Sequence, residues 1–205
     1  MKIITPVIVA VLFIMTTAFP QDEHRATLSF GGGLSFPSQP NLFSDYWKTG
    51  FNVGAGLGYK LSTAVSIDGT FEYNNFAFDD EGLLNDLGAT GYGITIQGGS
   101  ATIFSVIGSL KANLIPPPKP VSPYFLVGIG LFSLSTSDIT ISTPYGSEKK
   151  KGDSESAFTI VFGVGLDIRA NETTTVFIQV ADGVGFTKGQ NTSYVPLKAG
   201  LRFNL

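Results

Sequence analysis

The last eleven residues alternate without a break. Val195, Leu197, Ala199, Leu201, Phe203 and Leu205 are apolar, and Pro196, Lys198, Gly200, Arg202 and Asn204 between them are polar or small. A period of two is that of a β-strand, whose successive side chains leave opposite faces. The same pattern recurs along the chain and predicts eight strands, over 26–36, 50–61, 64–78, 100–114, 124–135, 157–169, 173–181 and 195–205. In the first, Leu28, Phe30, Leu34 and Phe36 oppose Thr27, Ser29, Gly31 and Ser35. In the sixth, Phe158, Ile160, Phe162, Val164, Leu166 and Ile168 oppose Thr159, Gly163, Gly165, Asp167 and Arg169. The fourth alternates less well, because Ile103 and Ile107 fall on its polar side.

The connections alternate too. Those after the first, third, fifth and seventh strands are long (37–49, 79–99, 136–156 and 182–193), and the others are mostly short. Segment 115–123 carries Pro116, Pro117, Pro118, Pro120 and Pro123, which predicts a stiff turn and no inner strand. Short turns at one end and long loops at the other are the habit of barrels that cross an outer membrane. Strands of about nine to eleven residues are long enough to cross at a tilt. The apolar lists of the clean strands hold no charge, and the opposite face is mostly Gly, Ser and Thr. A lipid-facing Lys or Arg costs about 2–4 kcal/mol at the midplane, so the uncharged face is expected to point outward. The expected fold is all-β: an eight-stranded antiparallel up-and-down transmembrane β-barrel over 26–205. The alternative, an exported soluble barrel with an apolar ligand in its cavity, would exchange the two faces.

Composition sharpens this picture at a few points. Only 14% of the 205 residues are charged, and the net charge of −3 gives no support for nucleic-acid binding. The absence of cysteine excludes disulfides and thiolate chemistry. The front end reads as a cleaved secretory signal peptide over 1–18, or to 20: Lys2, an apolar run from Ile3 to Met15, then Thr16-Thr17-Ala18. The run is too short for a membrane-spanning helix.

Eight strands leave a lumen that side chains fill. The facing assignment points Lys60, Asp68, Glu72, Lys111, Asp167, Arg169, Lys198 and Arg202 into it, five positive and three negative. Charges in so narrow a space must pair, which predicts a structural charge network. Tyr46, Trp47, Tyr59 and Tyr194 fall near predicted strand ends and are expected to lie at the membrane interfaces. Asp79-Asp80-Glu81 with Asp86 lacks the regular spacing of a calcium loop, so a solvated loop is expected, with no metal or cofactor. The one histidine, His24, precedes the first strand, a poor platform for a catalytic base.

The signal peptide, the run Pro123-Tyr124-Phe125-Leu126-Val127-Gly128-Ile129-Gly130 and the end Ala199 to Leu205 carry a resemblance. The mature chain resembles the small outer-membrane barrels of the OmpA-transmembrane-domain, OmpX and OmpW kind. The resemblance implies a bacterial outer-membrane location, contact with outer-membrane lipid and a monomer. It also implies a terminal strand, with Gly200, Leu201, Phe203 and Leu205, that is presented to the outer-membrane assembly machinery. Leu205 departs from the aromatic usual at that place. The expected role is non-enzymatic: structural, adhesive or surface contact with an extracellular ligand through the loops 37–49, 79–99, 136–156 and 182–193. A narrow channel or carrier for a small ionic or hydrophobic solute is the second expectation.

Overall fold

The computed structural model describes residues 25–115, 119–188 and 190–205. The signal-peptide reading and His24 therefore lie outside the described residues. The strands, in chain order, are β1 (Ala26–Gln39), β2 (Gly50–Lys60), β3 (Val65–Ala77), β4 (Thr95–Gly98), β5 (Ser100–Asn113), β6 (Val121–Thr136), β7 (Ile139–Thr143), β8 (Gly146–Lys150), β9 (Ser154–Arg169), β10 (Thr174–Phe186) and β11 (Asn191–Asn204). Eight of them close into a barrel, in the ring order β1-β11-β10-β9-β6-β5-β3-β2. Neighbours in the ring pair antiparallel, and β1 meets β11 from Thr27↔Asn204 to Gln39↔Ser193 to complete it. Closure removes every free edge from the barrel, the condition for strands to cross lipid.

The faces divide as the alternation requires. Val106, Leu131 and Val164 are 61–65% exposed on the outside, while Ser105, Asn74 and Ser35 are buried within. An apolar exterior around a polar interior is the sense opposite to a soluble ligand-binding barrel. Among the described residues, no helix is long and apolar enough to cross a membrane; the crossing is made by strands.

One end carries the short turns. Between β2 and β3, the amides of Leu61 and Ser62 donate to the Val65 carbonyl. Between β9 and β10, Asn171 Oδ1 accepts from the amides of Thr173 and Thr174, a side-chain-closed turn. Short turns make this the periplasmic end. Pro123 departs from the proline-turn reading: it lies near the start of β6, where its missing amide removes only one rung.

The other end is more built than the loops expected there. Helix α1 (Asn41–Tyr46) follows β1, and helix α2 (Asp80–Asp86) follows β3. Strands β4, β7 and β8 form a separate sheet in the order β4-β7-β8. The expected loop 182–193 shrinks to the few residues between Phe186 and Asn191, because β10 and β11 both extend into it.

That extension puts Asp182 on the outer face of β10, opposite Phe162 of β9 and between Val180 and Val184. The expectation of a charge-free lipid face fails here. Asp182 is four residues below Phe186, about 13 Å along the strand and about 10 Å in height at a usual tilt. A carboxylate at that intermediate depth costs roughly 1 kcal/mol. Asp182→Val is expected to stabilise the barrel folded in lipid vesicles by about that amount, read as a rise in its urea midpoint. An unchanged or lower midpoint would place Asp182 out of contact with lipid.

Candidate functional site

The lumen is filled in layers. In the periplasmic layer Asp167 holds two cations: Arg202 Nη1 donates to Oδ1 at 2.7 Å, and Lys111 Nζ donates to Oδ2. Three strands (β5, β9 and β11) thus converge on one carboxylate. Lys111 also lies 4.4 Å from the Tyr124 ring centre, and Arg202 5.2 Å from that of Phe177. Tyr124 is fully buried and donates to Gln179 Oε1 at 3.1 Å. Toward the outer end, Lys198 Nζ donates to Glu72 Oε1 in a second buried ion pair. Beside it Ile107, Leu126, Val161 and Ala181 pack with Tyr124 as an apolar layer. This accounts for the broken alternation of β5: Ile107 fills the lumen.

Five of the eight predicted interior charges are thus joined in two ion-pair groups. Asp68 accepts from Ser66 Oγ at 3.0 Å. Lys60, at the periplasmic mouth, donates to Asn204 Oδ1 at 2.8 Å. Arg169 departs from the prediction: it has the inward parity but lies exposed on the periplasmic rim, its Nε on the Asn171 carbonyl at 3.2 Å. Standing past the last inward position that the lumen covers, it reaches water.

A plug closes the outer end. Phe43, Phe76, Ala101, Ile103, Phe132, Ala157 and Tyr194 form one buried cluster, with Trp47 and Leu134 packed on it. Phe43 comes from α1, which folds inward over the barrel. Phe76 meets Phe43 edge-on at 5.2 Å and Tyr194 at 6.3 Å. Tyr194 is therefore no interfacial aromatic; it is 5% exposed and shares the inward parity of Pro196 and Lys198. Trp47 is only half-buried, its indole against Phe43 and Phe78 on the plug. Tyr46 is used between the helices, donating to Asp86 Oδ2 at 3.2 Å, and this hydrogen bond raises its phenol pKa. Tyr59 keeps the outward parity at the periplasmic end of β2. The aromatic patch on the outer wall is a different set, Phe51, Phe71, Tyr73 and Phe104, with Tyr73 and Phe104 4.9 Å apart. Phe158 stacks on Phe186 farther round. Phenylalanine on the lipid-facing parity was the legible signal for this set.

The acidic run 79–81 is engaged locally. Asp79 caps α2 through the Gly82 amide and pairs with Lys48 at 3.3 Å. Of the terminal-strand residues, Leu201 and Leu205 face outward and Phe203 is half-buried. Gly200 lies against the Phe177 ring and the Phe30 carbonyl, with no room for a Cβ.

The outer sheet has its own clamp. Asp138, just before β7, accepts from Lys149 Nζ at 2.7 Å and from the Gly152 amide at 2.9 Å. Both hold its carboxyl below the usual aspartate range. A depressed pKa contributes stability above the unfolded value, near pH 4, and loses it as pH falls through the folded one. Amide exchange at Gly152 is expected to stay slow from pH 7 to about 5 and to speed up, beyond the intrinsic pH effect, below about 4. Asp138→Asn should remove that step; an unaltered profile would show that the clamp does not hold the hairpin.

The sequence matches the model of the "Outer membrane protein beta-barrel domain" family over residues 7–203. No curated protein is significantly similar to it in sequence. Among solved structures, Neisserial surface protein A superposes with a TM-score of 0.59 at 12% identity, over 90% of this chain and 100% of that one. A major outer membrane protein from Thermus thermophilus superposes with a TM-score of 0.51 at 10% identity, over 89% and 100%. At these identities the superpositions speak to the fold, while the family match spans nearly the whole sequence. The chain belongs to the outer-membrane protein β-barrel domain family and resides, as an eight-stranded barrel, in the bacterial outer membrane.

Proposed function

We propose that this barrel is a non-enzymatic surface protein whose outer rim makes contact with molecules outside the cell. The observation that carries the reading is the contrast between its two parts. The lumen is filled by ion pairs and capped by the Phe43–Phe76–Phe132–Tyr194 plug. The outer rim is elaborated into two helices and a sheet that expose Leu42, Leu87, Tyr92 and Tyr145. Exposed apolar and aromatic side chains on a folded rim are a contact surface. The lack of any histidine after His24 supports the non-enzymatic part. The terminal strand, with Gly200, Leu201, Phe203 and Leu205, is the segment we assign to recognition by the assembly machinery.

The test exchanges the β7–β8 hairpin, 139–150, for a short Gly-Ser turn. Loss of surface binding by cells that display the variant, with heat-modifiable gel migration retained, is the expected result. Unchanged binding would remove the outer sheet from the role. In a planar bilayer the intact barrel is expected to pass no steady current. Steady conductance, altered by Glu72→Gln, would favour the narrow-channel reading.

A further inference from the structure

The periplasmic mouth holds a feature that neither the barrel fold nor the surface role requires. Inside the rim of short turns is a recess of about 250 Å³. Among the described residues, five cations line it: Lys60, Lys111, Lys119, Arg169 and Arg202. Among the described residues one carboxylate, Asp167, lines it with them, and that carboxylate is already shared between Lys111 and Arg202. Asp68 lies one layer deeper, against the inner cavity. The rest of the wall is rich in hydrogen-bond donors, including Ser62, Thr63 and Thr175. The whole chain carries a net charge of −3, so this concentration of positive charge runs against the molecule's balance.

A recess with low-dielectric walls focuses the field of the charges around it. Structural pairing alone would match cations to carboxylates, as it does at Glu72–Lys198. Here, among the described residues, Lys119, Arg169, Lys111 and Arg202 outnumber the one carboxylate even with Lys60 set aside. Arg169 and Lys119 reach the recess from different turns, and their presence there adds nothing to the pairing inside the barrel. Cations converging with hydroxyl donors on a pocket of this size are the chemistry of oxyanion recognition.

We propose that the periplasmic mouth is a binding site for a multiply charged oxyanion, held by Lys119 and Arg169 at the rim and by the edge of the Arg202–Asp167–Lys111 group below. The shared chemistry is that of a phosphate or a polycarboxylate, entering from the periplasm.

The test uses the mature chain folded in non-ionic detergent and titrated calorimetrically, in low salt, with pyrophosphate and separately with citrate. One site per barrel is expected for at least one probe, weakening as salt is added. The Lys119→Gln/Arg169→Gln variant is expected to bind about tenfold more weakly or worse, as loss of two charges near 5 Å from the anion implies. The outer-side control, Lys149→Gln/Lys150→Gln, should bind as the parent does. Heat-modifiable migration confirms that each variant is folded. Preference for pyrophosphate assigns a phosphate ligand, and preference for citrate a carboxylate one. No binding of either probe, or equal binding by the rim variant, would overturn the proposal. So would loss of binding in the outer-side control.

Discussion

Asp167→Ala is expected to destabilise the folded barrel by about 3–5 kcal/mol, the usual cost of removing one partner from a buried ion pair. The magnitude follows from what is left behind. The Lys111 side chain is 6% exposed and that of Arg202 13%, and both direct their charge at the same carboxylate. Without it two cations face each other in the lumen, and Asn113 Nδ2 loses an acceptor as well. Asp167→Asn keeps an acceptor but not the charge, and should fall between the parent and the alanine variant. The triple change Asp167→Leu, Lys111→Met, Arg202→Met removes all the charges together. It should recover most of the loss, because apolar residues of similar volume replace buried ion pairs at little cost. Urea midpoints in lipid vesicles read all three. An alanine variant as stable as the parent would show that the group is solvated and carries no such load.

That ladder of variants also marks what alternation could reveal. The inward parity of Lys111, Asp167 and Arg202 was legible, because a charge on the other face would sit in lipid. Their convergence was not: it depends on the ring order that puts β5, β9 and β11 around one lumen. Elsewhere two physical preferences compete. The predicted seventh strand ends at 181, before Asp182, yet Val184 and Phe186 continue the alternation beyond it and β10 follows them. Tyr194 was placed at an interface by its chemistry, although its parity with Lys198 put it inside. Trp47 followed the same aromatic rule and is drawn instead onto the plug. The outer sheet was beyond reach for a different reason. Its strands, such as Thr95–Gly98 and Gly146–Lys150, are four and five residues long. They face no lipid, so nothing forces them to alternate. Pairing of β4 with β7 joins segments that lie far apart in the chain, Thr95 with Ser142.

Glycine supplies the last case, in which the lumen's packing depends on an absent side chain. Gly165 of β9 faces inward beneath the Tyr124 ring, and a Cβ built there would lie closer to the ring and hydroxyl than real Cβ contacts come. The Ile178 carbonyl blocks the other side. Tyr124 has nowhere to retreat, being fully buried with Lys111 over its ring and Gln179 on its hydroxyl. Gly165→Val must therefore displace the ring and break the hydroxyl's hydrogen bond, at about 2–4 kcal/mol in all. The effect should be specific to the lumen. Gly108 faces the lipid side, where a Cβ would meet only the Ile129 carbonyl at 3.9 Å. Gly108→Ala should leave the barrel unchanged or stabilise it by about 0.4–1 kcal/mol, through the smaller freedom of the unfolded chain. Tyr124→Leu made together with Gly165→Val should restore part of the loss by vacating the space the new side chain takes. Urea midpoints for the three variants decide the matter. A Gly165→Val barrel as stable as the parent would mean that the Tyr124 ring is free to move. The Lys111–Asp167–Arg202 group would then stand without a fixed ring against which Lys111 packs.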